Sequence, residues 1–81
     1  MSKHEKILAR MWNNPRDWKI EELISIATHY EIEVRSDGGS HHVFSHPLVP
    51  LTICVPAHRP IKPVYIRQFL SLIEQIEGVT L

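Results

Sequence analysis

The chain has 81 residues, a mass of 9.4 kDa, 43% apolar residues and 22% charged ones, enough for one compact domain and too apolar for a disordered chain. Nine basic and nine acidic side chains cancel to a formal charge of zero, which excludes a basic coat over the whole molecule but not a basic face. A single cysteine, Cys54, excludes an internal disulfide framework and suits a reducing cytoplasm.

No apolar run approaches the roughly 18 residues of a membrane span, and no leader is expected. The first helix is predicted from Lys3 to about Trp12, because Ile7, Leu8, Met11 and Trp12 form one helical stripe. Ser2 is its expected cap, with Glu5 at the capping-box spacing, and Asn13-Asn14-Pro15 stops it. A second helix is predicted from about Lys19 to His29, where Ile20, Leu23, Ile24 and Ala27 share a face. Glu21 and Glu22 suit its N-terminal dipole, and Asp17 is the expected cap.

The period then changes from about 3.6 to 2. The stretch 31–36 alternates polar and apolar residues, Asp37-Gly38-Gly39-Ser40 reads as a hairpin turn, and His41 to Ser45 forms a second strand. Leu51 to Val55 is the third, with Leu51, Ile53 and Val55 on one face; Cys54 within it is expected in or near the core. Pro63 opens a last helix carrying Ile66, Phe69, Leu70, Ile73 and Ile76 inward, and Gly78 is expected to close it. The expected class is α+β: a three-stranded antiparallel sheet with helices on one face and the other face open. Residues 1–81 form a single domain, with 1–15 a helical extension on an α-β-β-β-α core over 18–78. Packing between this extension and the core is the simplest role for Met11, Trp12 and Trp18. So small a core also leaves room for stabilisation by a partner subunit.

Charge is unevenly spread. The segment from Val34 to Ile73 holds four basic residues (Arg35, Arg59, Lys62, Arg67) against Asp37 alone, and four of the six histidines. Such a region can attract a polyanion. Gly38-Gly39 lacks the lysine and the spacing of a phosphate-binding loop. Ser40, Asp37 and His42 are too close in sequence for the usual hydrolase triad. A zinc site drawn from His41 or His42 with His46, His58 or Cys54 lacks a metal-ligand spacing, so no metal or other cofactor is expected. Neighbouring His41 and His42 point to opposite sheet faces. At most one faces the core, so the other stands on the open face.

The run Gly39-Ser40-His41-His42-Val43-Phe44, then His46-Pro47, then Thr52-Ile53-Cys54-Val55-Pro56-Ala57-His58 and Ile61-Lys62-Pro63 before the last helix, resembles the HicA family of bacterial toxins. The resemblance extends from about Trp18 to Gly78 and rests on both motifs in this order. It implies a fold like a double-stranded-RNA-binding domain. It also implies an endoribonuclease acting on mRNA, located in the cytoplasm and neutralised by a HicB-like antitoxin. The family's essential histidine follows glycine-serine and one variable residue, which makes it His42 here and puts His41 at the variable position. Two departures are the helix over 3–12, which extends the minimal family domain, and the zero net charge.

RNA supplies its own nucleophile, the ribose 2′-hydroxyl, so the chemistry asks for a base, a cation and an acid. His42 is the expected base, a role worth about 10²–10⁴-fold. Arg35, Ser40, His41, Arg59 and Lys62 are the expected RNA-binding residues, with arginine suited to phosphate by its planar fork. His58 is a candidate acid. An antitoxin covering the open sheet face would exclude RNA from His42. The alternatives are an RNA-binding module without catalysis and a protein-interaction domain using Met11, Trp12 and Trp18.

Overall fold

The computed structural model describes residues 3–57 and 60–79. Three helices, α1 (Lys3–Asn13), α2 (Ile20–His29) and α3 (Pro63–Val79), frame three strands, β1 (Glu33–Ser36), β2 (His41–His46) and β3 (Val49–Pro56). The strands form one antiparallel sheet in the order β1-β2-β3. The class is α+β, with an open sheet whose order is compatible with an α-β-β-β-α core. The expected Ser2 cap lies outside the described residues.

Strand parity organises the core. Along β3, Val49, Ile53 and Val55 are buried while Pro50, Thr52 and Cys54 are exposed, the alternation of a strand with one covered face. α3 packs on β3, α2 on β1, and α1 on α3. Phe44 of β2 and Phe69 of α3, both fully buried, meet edge to face with ring centroids 5.6 Å apart, a favoured aromatic geometry.

α1 is part of this body. Leu8 and Met11 belong to the same buried cluster as Trp18, Ile66 and Leu70, and Met11 is completely enclosed. Its neighbour Trp12 is 54% exposed, so Trp12 does not share the packing of Met11 and Trp18.

The α1–α2 joint differs from expectation. Asp17 adopts a left-handed backbone at φ 63°, and Lys19 occupies the N-cap position of α2 without a side-chain capping bond. The Trp18 indole N–H donates to the Asn14 carbonyl at 2.7 Å, and the Ile61 N–H donates to the Trp18 carbonyl at 3.1 Å. These bonds fix Trp18 in the core and carry Asp17 outward, two residues ahead of the cap. Glu22 restores the missing cap, its carboxylate accepting the Lys19 N–H at 2.9 Å. At the other end, α3 runs through Gly78 to Val79, so Gly78 does not terminate it.

Candidate active site

The hairpin joining β1 to β2 builds the end of the sheet where the histidines lie. Gly38 takes φ 85°, a conformation open to glycine without strain. The turn is tied locally: the Gly39 N–H donates to the Asp37 carboxylate at 2.8 Å and the Gly38 N–H to the Ser36 hydroxyl at 3.3 Å. Ser40, beyond these bonds, is exposed, and its carbonyl accepts the Ala57 N–H to close the β2–β3 side.

From this turn the two histidines diverge. His42 pairs with Ser36 on β1 and Val55 on β3, and Val55 is fully buried. His42 therefore lies on the helix-covered face, in line with Phe44, and not on the open face where it was expected. Phe44 two residues further in is fully enclosed, His42 is half-buried, and Ser40 is exposed, so His42 occupies the rim of the core. Its Nδ1 is buried without any hydrogen-bond partner. Leaving such a group unpaired costs about 1–3 kcal/mol, an expense that in native proteins calls for an explanation.

His41 is the imidazole of the open face, opposite Pro56. Its Nδ1 stands 3.9 Å from the Asp37 carboxylate, both side chains more than half exposed. The Gly39 N–H, and then the His41 ring, hold Asp37 below the usual carboxylate range. Lys62 lies immediately before α3, its carbonyl accepting the Tyr65 N–H at 3.0 Å. Lys62 and Tyr65 join His41, Pro56 and Pro60 around a depression of about 310 Å³. A lysine, an imidazole and the positive end of a 17-residue helix make this corner favourable for an anion.

Arg35 also stands on the open face, opposite Val43, but its guanidinium is held by Glu33 at 2.6 Å with both groups well exposed. It is a tethered cation, and the pair itself adds little stability. Of the expected RNA-binding residues, then, His41 and Lys62 come together, Ser40 adjoins them in the turn, and Arg35 lies two residues along β1. Arg59 and the candidate acid His58 lie outside the described residues.

Two further expectations are corrected. Cys54 is exposed on the open face of β3, because Ile53 and Val55 take the inward positions on either side of it. His46 extends β2, is buried, and uses Nδ1 to accept the Leu48 N–H at 3.1 Å, a structural task that closes the β2–β3 turn. Among the described residues no three His, Cys, Asp or Glu side chains gather to hold a metal ion. No described helix is long and apolar enough to cross a membrane.

The parity of His42 had a signal in the sequence: Phe44, the one aromatic of its strand, must face the core, and His42 shares its face at a period of two. Tyr65 had none, since only the fold brings the first turn of α3 beside the end of β2. Searches of protein-family models, curated proteins and solved structures find nothing that matches this chain.

Proposed function

We propose that the chain is a metal-independent endoribonuclease toxin that cuts mRNA, restrained by a HicB-like antitoxin. The motif resemblance supports the class, and the place of His42, half-buried at the hairpin end of the sheet at the rim of the core, carries the reading at the level of chemistry.

His42 takes the proton of a ribose 2′-hydroxyl through Nε2, because Nδ1 is turned into the protein. The 2′-oxygen attacks the adjacent phosphorus, the bond to the 5′-oxygen breaks, and the departing oxygen recovers a proton from the imidazolium or from water. The products are a 2′,3′-cyclic phosphate and a 5′-hydroxyl. Lys62, His41 and the N-terminus of α3, at the same end of the sheet, hold a neighbouring phosphate of the RNA and so position the strand for His42. RNA on this reading crosses the hairpin end of the sheet, where the two faces meet, instead of lying over the open face. An antitoxin has to cover that end, and an acidic surface complements Lys62 and Arg35.

A second reading is favoured by the exposure of His41 and its proximity to Asp37: His41 is the base, oriented by a carboxylate. Expression of wild type, His41→Ala and His42→Ala tests both. Growth arrest with fragmentation of total RNA, lost only in His42→Ala, supports the main reading. Loss only in His41→Ala transfers the role. RNA binding that persists in all three without cleavage identifies a non-catalytic module.

A further inference from the structure

α1 and α3 lie side by side and form a groove of about 250 Å³. Its walls follow helical spacing on both sides. On α1 the lining positions are Glu5, Leu8, Ala9 and Trp12; on α3 they are Leu70, Ile73, Glu74 and Glu77. Each set runs i, i+3, i+4, i+7, so the groove follows two turns of each helix. Leu8, Leu70 and Ile73 are buried in its floor, while Trp12 is 54% exposed at its side. Every charged group lining it is a carboxylate. The negative field is felt nearby. The Tyr30 hydroxyl donates to Glu77 at 3.2 Å, and its pKa is pushed up to about 12 by burial, by Glu77 and by Glu5.

From this arrangement we propose that the α1–α3 groove is a docking site for a cationic amphipathic helix of a partner protein, which seats an apolar side chain against Trp12 and sets Lys or Arg opposite Glu5, Glu74 and Glu77. An exposed tryptophan over an apolar floor is the composition of an interface anchor. The acidic rim selects the sign of the partner. It also argues against a second copy of this chain: a two-fold contact through the groove would bring two sets of three carboxylates together. Lys6 and Arg10 are not among the lining residues. The footprint is small, so the contact is of the weak, transient class. It involves none of the residues assigned to RNA cleavage and stands or falls independently of that reading.

The test uses the full chain and a fluorescein-labelled peptide of leucine-lysine heptads, with a leucine-glutamate peptide of the same pattern as control. Fluorescence polarisation of the labelled peptide reports binding. Binding of the cationic peptide alone, weakening with added salt, is expected. Trp12→Ala and Glu74→Lys should each weaken it about tenfold or more, with unchanged circular dichroism. Both substitutions are on exposed side chains, so the fold is retained. Equal binding of the anionic peptide, or affinity indifferent to both variants, overturns the proposal. So does a concentration-dependent dimer in sedimentation that Trp12→Ala abolishes, because the occupant would then be a second copy.

Discussion

Replacing Met11 by alanine tests whether α1 is an appendage or a structural member of the domain. Met11 has no exposed surface and lies in the common buried cluster with Leu8, Trp18 and Leu70. Truncating an enclosed methionine costs about 2–5 kcal/mol, the lost transfer energy plus the cavity left behind. A domain of this length has about 4–12 kcal/mol of total stability at the usual per-residue value. The substitution therefore removes a large share of it. About 4–8 °C of melting temperature is lost per kcal/mol in a domain of this size, so a fall on the order of 8–40 °C is expected. Urea unfolding followed by circular dichroism measures the same quantity through the midpoint, with the slope unchanged. Trp12→Ala is the control: one residue along the same helix but half exposed, it should cost far less. A Met11→Ala midpoint no different from that of Trp12→Ala would refute the packing of α1 on α3.

Three other outcomes follow from single groups. The Cys54 thiol, exposed on the open face, should react stoichiometrically with a thiol-specific chromogenic disulfide in the native protein; a thiol that reacts only after unfolding would return Cys54 to the core. Tyr30 has its pKa raised from 10.0 to about 12 in the folded chain, so its neutral form stabilises the fold below pH 10 and that contribution is lost between pH 10 and pH 12. The urea midpoint of the wild type should accordingly fall more steeply across that range than that of Tyr30→Phe, and parallel curves would remove the Tyr30–Glu77 contact. Glu22→Ala should cost about 0.3–1.5 kcal/mol, because it deletes the carboxylate that accepts the Lys19 N–H; an unchanged melting temperature would show that this bond contributes nothing.

The element order was readable because each period had a clear carrier. Ile20, Leu23 and Ala27 announce α2, and Ile53 and Val55 announce β3. The same parity argument, carried one residue further, places Cys54 outside and sets His42 beside Phe44. Both follow from alternation alone, once the strand's inward residues are taken as the reference. The cap of α2 was not readable in this way. Asp17 has the right chemistry for it, but the hydrogen bonds of Trp18 to Asn14 and Ile61 depend on tertiary contacts that no local pattern reports. The anion-favouring corner of His41, Lys62 and Tyr65 and the acidic groove of α1 and α3 share that character. Each is assembled from segments far apart in the chain, and only the packing of α3 against the rest brings them together.

Deprotonation of a ribose hydroxyl by His42, as proposed, is read out on an RNA oligonucleotide incubated with the purified protein. The product ends are identified by mass, and the cut is repeated with a single 2′-deoxy substitution at the attacked nucleotide and with His42→Ala. Expected are a 2′,3′-cyclic phosphate and a 5′-hydroxyl, no cut at the deoxy position, and a loss of about 10²-fold or more in the variant. A 5′-phosphate product, cleavage that survives the deoxy substitution, or a full rate without the His42 imidazole would contradict it.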